Sequence, residues 1–145
     1  METGSQGLEV LGEEECRALL AATPVGRVGI AVDGQPLIFP VNYVFDGRSV
    51  IVHTTAGTML HGASLAQVAF EIDSFDVATR SGWSVLVQGV GHDITDSLDH
   101  TSEHLQTVEV LPWAPGAKPR LLRIDARTIT GRRFGGSSAE VEPAG

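Results

Sequence analysis

The amino-acid sequence predicts a mostly β protein, a small antiparallel barrel with short helices outside it or across its ends. About six segments have the short, apolar or alternating pattern of strands, and glycine-rich turns separate them. Asp33-Gly34 and Asp46-Gly47 each stand between two such segments, and Asp-Gly accepts the positive φ angles of tight hairpin turns. Strands and helices do not alternate as in a doubly wound sheet, so antiparallel connections are favoured.

The first half of the chain begins with a helix. Three glutamates, Glu13 to Glu15, stand in its first turn, where negative charge suits the helix dipole. Cys16, Leu19 and Leu20 are apolar at helical spacing, and Thr23-Pro24 ends the segment. The elements expected here are a helix over residues 11–22 and strands over residues 25–32, 37–45 and 49–54.

The second half continues with strands and two further helical segments. Gly89 and Gly91 interrupt a long strand, which indicates a bulge or a close backbone approach, and Ser97 is a suitable N-cap. The expected elements are a short helix over 57–64, strands over 67–73 and 83–94, a helix over 97–107, a rigid loop over 111–116, and strand segments over 120–126 and 128–134. Residues 1–10 and 135–145 are expected to be flexible or disordered tails around one domain over 11–134.

Composition narrows the classes of function. The chain has 145 residues, the size of one domain with a sizeable core. Its net charge of -8 and its single lysine, Lys118, argue against nucleic-acid or anionic-membrane binding, which needs clustered cations. No apolar run is long enough to span a bilayer, and one cysteine, Cys16, cannot form an internal disulfide. A cytoplasmic protein is the simplest interpretation.

No catalytic motif identifies an enzyme class. His100 and His104 lie four residues apart, but no third ligand is in view, so no metal site is predicted. A nucleophile elbow of the Gly-x-Ser-x-Gly kind and a P-loop are both absent from the sequence. Cys16 is interpreted as a small core residue. No side chain is identified as an essential acid or base, and the catalytic residues are left unassigned.

The most informative stretch is the predicted hairpin over residues 39–60. Its first strand ends in Pro-Val-Asn-Tyr, and its second strand ends in His-Thr-Thr-Ala-Gly-Thr. A cluster of hydroxyls beside the start of a helix favours an anion site, and a phosphate would suit it. Asn42 points to solvent or to a ligand, because a polar side chain buried in an apolar strand is costly without a partner.

These motifs resemble those of the pyridoxamine phosphate oxidase-like superfamily, the flavin-binding split β-barrels. The resemblance includes the Arg-Ser-Gly-Trp-Ser-Val-Leu-Val-x-Gly strand from Arg80 to Gly89 and the Ile-Thr-Gly-Arg-Arg segment from Ile129 to Arg133. Within the superfamily, the chain is similar to the short branch that includes nitroimidazole-resistance proteins. The resemblance implies a six-stranded antiparallel split β-barrel with short flanking helices. It also implies a homodimer with cofactor sites at the subunit interface, FMN as the usual ligand, and FAD, a deazaflavin or heme as alternatives.

The resemblance also implies which residues bind the cofactor. One strand would line the isoalloxazine ring, the turn and short helix would hold the ribityl chain and phosphate, and a neighbouring strand would contact the ring. The residues in that order are Pro40, Val41, Asn42 and Tyr43; His53, Thr54, Thr55, Gly57, Thr58, Met59 and Leu60; and Trp83 and Ser84. Trp113, Arg132 and Arg133 are candidates to reach the site of the partner subunit.

The chain departs from the family pattern in two places. Met59 stands where a lysine commonly meets the phosphate, and His53 stands where an arginine is common. A lost charged hydrogen bond costs about 1.5–3 kcal/mol, or roughly ten- to a hundredfold in affinity. Three explanations follow: His53, His61 or a distant arginine replaces the charge, flavin binds weakly, or another ligand is held.

Structural interpretations compete with these roles. Thr54 and Thr55 also suit a strand, Trp83 suits a core anchor, and Arg132-Arg133 suits a solvated strand edge. Two functions are therefore expected as alternatives. One is a flavin-dependent oxidoreductase acting on a small molecule, and the other is a non-catalytic cofactor-binding or sensor protein of the same fold.

Overall fold

The computed structural model describes residues 3–4, 8–55, 57–95 and 120–135, with the backbone alone at 3–4. The strands are β1 (Thr3–Gly4), β2 (Leu8–Val10), β3 (Val25–Val32), β4 (Gln35–Phe45), β5 (Ser49–Thr54), β6 (Gln67–Asp76), β7 (Ser81–Asp93) and β8 (Arg120–Phe134). The helices are α1 (Glu13–Ala22) and α2 (Thr58–Ala63). No helix within these ranges is long and apolar enough to cross a membrane.

Six antiparallel strands close into a ring. The sheet order β8-β5-β4-β3-β6-β7 returns to its start, because β7 also pairs with β8. The short strands β1 and β2 extend the sheet beside β8. This closed arrangement confirms the predicted mostly β fold with short flanking helices, and closure leaves the six ring strands without a free edge.

Alternation along the strands separates an inner face from an outer face. Val28, Val52, Phe70 and Val85 point inward and are fully buried in the main core. Helix α1 adds Leu20 and Cys16 to that core. The backbone N–H of Leu11, just before α1, donates to the carbonyl of Gly131 at 3.0 Å, so α1 is tied to β8.

The hairpin turns explain why two strands match their predicted bounds. Strands β3 and β5 span residues 25–32 and 49–54 as expected. In the first turn, Asp33 and Gly34 both have positive φ, 52° and 79°. In the second turn, Asp46 Oδ1 accepts hydrogen bonds from the N–H groups of Arg48 and Ser49 at 2.8 and 2.7 Å. The first turn thus has the positive φ angles that its Asp-Gly pair predicts, whereas in the second turn only Gly47 has positive φ and the Asp46 carboxylate holds the connection.

Other bounds differ from the prediction. Strand β6 continues to Asp76, and the two segments expected at the end of the chain form one strand, β8, in which the pairing with β7 skips Arg127. Strands β1 and β2 fall within the segment predicted as a tail, and Leu8–Val10 pairs with β8. The helix predicted over 97–107, the loop over 111–116, Trp113 and the segment after 135 lie outside the described residues.

Candidate functional site

A pocket of about 520 Å³ lies where the start of α2 meets the end of β7 and the start of β8. The register pairs Thr54, the last residue of β5, with Arg120, the first residue of β8. This pairing brings the hydroxyl-rich turn after β5 close to the start of β8. The residues lining the pocket are Gly57, Thr58, Leu60, His61, Ser64, Asp93 and Arg120.

Two backbone hydrogen bonds fix α2 against β7. The N–H of Leu65 donates to the carbonyl of Gly91 at 2.7 Å, and the N–H of Gly91 donates to the carbonyl of Ala66 at 3.0 Å. Leu65 has a positive φ of 57°, which is uncommon for a residue with a side chain. The connection after α2 is thereby held in one conformation, so His61 and Ser64 line the same pocket as Asp93.

Arg120 supplies fixed positive charge in this pocket. Its Nη2 lies 3.5 Å from Asp93 Oδ2, at the outer limit of a hydrogen bond. Its Nε is buried and has no hydrogen-bond partner among the residues that the structure describes. A buried donor without a partner is costly, so the guanidinium suits an anionic ligand that accepts from it.

The carboxylate of Asp93 shares the pocket with Arg120. Burial acts to raise the pKa of Asp93, but hydrogen bonds from Thr95 and the charge of Arg120 outweigh burial and lower that pKa. The N–H of Thr95 donates to Asp93 Oδ1 at 3.0 Å. Asp93 is therefore ionised at neutral pH, and an incoming anion must compete with it for the guanidinium.

Met59, which the sequence resemblance places at the position of a phosphate-binding lysine, does not line this pocket. Met59 is buried in the main core, together with the body of Leu60. The side chain of Met59 thus contributes to packing, and only its backbone remains available to a phosphate. Arg120, which sequence reasoning did not identify, provides the charge instead. Its signal in the sequence is the contact between β5 and β8, which appears only once their register is known.

The four residues predicted to line the flavin ring divide between the two faces of β4. Tyr43 is buried, its hydroxyl donates to the carbonyl of Leu20 at 2.6 Å, and burial raises the pKa of its phenol. Val41 faces the same way and packs against the core. Pro40 and Asn42 point to the outer face, where Pro40 is exposed and Asn42 is half-buried. Only these two side chains are free of the core.

The turn before α2 also divides its residues. Thr54 and Arg120 are paired and lie on one side of the sheet, whereas His53 lies on the other side opposite Leu121. Thr55 is half-buried just after β5. Thr58 and Gly57 are exposed at the pocket. The structure thus brings Thr54, Thr58 and Arg120 to one end of the barrel.

Trp83 and Ser84 lie near the opposite end of β7. Trp83 is half-buried, packs against the core and pairs with Arg133, while Ser84 pairs with Arg132. The pocket beside α2 contacts β7 at Asp93, ten residues further along this strand. One protomer therefore does not bring Trp83 and Ser84 together with the predicted phosphate contacts, whereas Tyr43 on β4 pairs with Val52, close to the end of β5.

Metal ligation has no candidate in the described part of the chain. Within residues 8–55, 57–95 and 120–135, no group of three or more His, Cys, Asp or Glu side chains is placed to hold a metal ion. His100 and His104 lie outside these ranges. Cys16 is buried, and burial followed by the charges of Glu15 and Glu13 raises the pKa of its thiol. A buried thiol with a raised pKa is a packing residue rather than a nucleophile.

Comparison with known proteins identifies the family. The sequence model of the pyridoxamine 5'-phosphate oxidase family matches residues 12–133, and the chain belongs to this family. The FAD-binding protein from Mycobacterium smegmatis is 36% identical, with a TM-score of 0.73 over 88% of this chain and 98% of that chain. A conserved protein of unknown function from Corynebacterium diphtheriae is 29% identical, with a TM-score of 0.72 over 88% of this chain and 98% of that one. An uncharacterised protein of Mycobacterium tuberculosis is 34% identical over 131 residues, 86% of this chain and 84% of its own.

Proposed function

We propose that this protein binds a flavin nucleotide and that the pocket beside α2 holds its phosphate. The observation that carries the proposal is Arg120, whose buried Nε has no hydrogen-bond partner in the described ranges and whose side chain lines the pocket. A phosphate oxygen is a strong acceptor for a guanidinium, and the hydroxyl of Thr58 adds a neutral donor nearby. Membership of the pyridoxamine 5'-phosphate oxidase family and the likeness to an FAD-binding protein support the same ligand class.

The choice between FMN and FAD follows from their phosphate chemistry. FMN is the usual ligand implied by the sequence resemblance, whereas the relative from Mycobacterium smegmatis is described as FAD-binding. FMN ends in a phosphate monoester, which carries up to two negative charges, and FAD carries a pyrophosphate diester. The guanidinium of Arg120 with Asp93 beside it suits either group, so both nucleotides belong in the same titration.

The activity that we propose is flavin-dependent oxidation or reduction of a small molecule. A bound flavin would supply the hydride or electron transfer, and the protein would supply binding, orientation and exclusion of water. The alternative is a non-catalytic cofactor-binding or sensor protein of the same fold, and methionine in place of a phosphate-binding lysine at position 59 would favour it. Because Met59 packs in the core and Arg120 lines the pocket, that substitution does not remove the positive charge of the site.

Flavin binding is expected to be saturable at one nucleotide per chain. Titration with FMN and, separately, with FAD should quench flavin fluorescence and shift its absorption band. Thr58→Ala should weaken binding by about three- to tenfold, the value of one neutral hydrogen bond. Thr128→Ala is the matched control, because Thr128 is exposed on β8 and bonds Gln88 instead. Absence of any spectral change with both nucleotides in excess would refute the proposal, and equal affinity of the two variants would place the phosphate elsewhere.

A homodimer follows as a second expectation. Trp83 and Ser84 lie far along β7 from the pocket beside α2, so a site that uses both sets of residues needs two protomers. Light scattering coupled to size-exclusion chromatography is expected to give about twice the chain mass of 15.3 kDa. A monomeric mass that persists at high protein concentration and with added flavin would contradict the shared site.

A further inference from the structure

A row of outward-facing side chains crosses the barrel at Glu71. Arg27 on β3 pairs with Pro40 on β4 and with Glu71 on β6, and Glu71 pairs in turn with Leu86 on β7. Paired residues share a face of the sheet, and neighbouring strands lie about 4.8 Å apart. Glu71 therefore stands between β4 and β7, the strands of Pro40 and Ser84, which the sequence resemblance assigns to the flavin ring.

A groove of about 630 Å³ opens beside Glu71 on this face. Leu8, Val10 and Leu86 supply its apolar walls, and Ser84 lies in the same groove. A groove of this size, with apolar walls and a few polar groups, suits a flat aromatic ring. The groove therefore belongs to the ring-binding side of the proposed flavin site, and Glu71 is the acidic residue among those that line it.

Glu71 shares one cation with a second carboxylate. Arg27 Nη1 lies 3.1 Å from Glu71 Oε1 and 3.2 Å from Asp73 Oδ2. The side chains of Glu71 and Asp73 are 33% and 18% exposed. With both carboxylates ionised, this cluster holds one negative charge in excess, and a ring that covers the groove would remove water from it. Burying an uncompensated charge is costly, whereas a protonated carboxyl group is neutral and can donate a hydrogen bond.

The surroundings of Glu71 already favour its protonated form. Burial, then the hydrogen bond with Asp73 and its negative charge, raise the pKa of Glu71 to about 7, and Arg27 only partly opposes this rise. The groove also brings Arg132 of β8 to face Glu71, whereas its lining residues on β2 and β7 carry no charge. Glu71 is therefore neutral in mildly acidic solution and becomes negative as the pH rises through neutrality.

We propose that Glu71 is the proton-carrying residue of the flavin site: when the flavin ring covers the groove, the Glu71 carboxylate takes up a proton and donates the resulting O–H to the edge of the ring. One O–H bond forms on a carboxylate oxygen, the proton comes from water or buffer, and no electrons move. This inference rests on the proposed flavin binding. It adds an acid to a site for which the sequence identifies none.

The pH dependence of FAD affinity tests this role, because the pyrophosphate keeps its charge across neutrality. By fluorescence titration, the wild-type affinity is expected to stay nearly constant up to about pH 7 and to fall by about tenfold by about pH 8.5, since covering Glu71 makes its proton harder to remove. Glu71→Gln is neutral at every pH. It is expected to match the wild type at about pH 6 and to bind about tenfold more tightly than the wild type at about pH 8.5. Glu14→Gln is the matched control, because Glu14 is an exposed glutamate of α1 outside the groove, and it should keep the wild-type profile.

Proton uptake on binding is a second measurement, which a merely structural role of Glu71 would not change. Isothermal titration calorimetry with FAD in two buffers of different ionisation heat gives the number of protons taken up. At about pH 7.5, wild-type protein and Glu14→Gln are expected to take up about half a proton more per bound FAD than Glu71→Gln does.

The two neighbours of Glu71 should move the pH midpoint of the affinity change in opposite directions. Asp73→Asn removes a negative charge that helps to keep the proton on Glu71, so the midpoint should fall. Arg27→Gln removes the cation that opposes protonation, so the midpoint should rise. Circular dichroism checks that each variant is folded.

The outcomes distinguish this inference from flavin binding itself. A pH profile that flattens in Glu71→Gln, together with the lost proton uptake, would support the role of Glu71. The inference is overturned, and flavin binding stands, if FAD binds but wild-type protein and Glu71→Gln show the same pH profile or the same proton uptake. If neither FMN nor FAD binds at all, the proposed function fails and this inference fails with it.

Discussion

Replacing Arg120 by glutamine is expected to weaken flavin binding by about ten- to a hundredfold. The guanidinium lines the pocket beside α2, its Nε has no hydrogen-bond partner among the described residues, and its contact with Asp93 is long at 3.5 Å. A phosphate would gain a charge-assisted hydrogen bond that glutamine cannot replace. Fluorescence titration with FMN and FAD measures the loss directly.

Control variants separate charge from shape. Arg127→Gln changes an exposed arginine on the same strand and should leave the affinity unchanged. Arg120→Lys keeps the charge but loses the planar donor fork, so an intermediate affinity is expected. Asp93→Asn removes a carboxylate that competes for the guanidinium, and it should strengthen binding. An Arg120→Gln protein with wild-type affinity would show that the phosphate does not bind here.

The pH dependence of this interaction distinguishes the two nucleotides. A phosphate monoester loses its second proton near pH 6, so FMN should bind more tightly as the pH rises from about 5 to 7. The pyrophosphate of FAD has no such step, and its affinity should stay flat over that range. In Arg120→Gln the rise of FMN affinity with pH should become small, because the cation that interacts with the second negative charge of the phosphate is absent. A rise of equal size in both proteins would point to a different cation.

The strands could be predicted because their signals are local. Asp33-Gly34 and Asp46-Gly47 fix the hairpin turns, and strand alternation fixes which residues face the core. The extension of β6 to Asp76 could not be predicted from alternation. The last residues of this strand are mostly polar, and pairing with β7 keeps them extended. The irregularity at Arg127 was predicted at the right position, but as a break between two strand segments. In the structure it is a residue that the β7–β8 pairing skips within one strand.

The candidate site was predicted less completely because it depends on long-range register. Of the predicted hydroxyl cluster, Thr58 lines the pocket beside α2 together with Gly57, whereas Thr54 and Thr55 are not among the residues that line it. Met59 was assigned by its place in a motif, although the spacing of Met59, Leu60 and Ala63 already marks the buried face of a short helix. Arg120 is sixty-six residues beyond Thr54, and only the pairing of β5 with β8 brings the two together. The carboxylates of Glu71 and Asp73 on β6 likewise form ion pairs with Arg27 on β3, and these contacts depend on how the two strands pair.

Gly91→Ala is expected to lower the free energy of unfolding by about 3 kcal/mol, because it would drive α2 away from β7. A Cβ at residue 91 would lie 2.2 Å from the carbonyl oxygen of Ala63 and 3.1 Å from its carbonyl carbon, and both are backbone atoms. Neither can move without breaking the hydrogen bonds that join Leu65 and Ala66 to Gly91. For a domain of this size the melting temperature should fall by about 10 °C, which differential scanning calorimetry would detect.

Gly29→Ala is the matched control for this prediction. Gly29 is also a strand glycine, but a Cβ there would meet the Cβ of Ala69 at an ordinary 3.7 Å, so its stability should stay within about 1 kcal/mol of wild type. Because α2 carries His61 and Ser64 into the pocket, any folded Gly91→Ala protein should also bind flavin less tightly than Gly29→Ala. Equal melting temperatures of the two variants would mean that the end of α2 does not pack closely against the backbone of Gly91. Loss of stability with unchanged flavin affinity would mean that the phosphate does not depend on the position of α2.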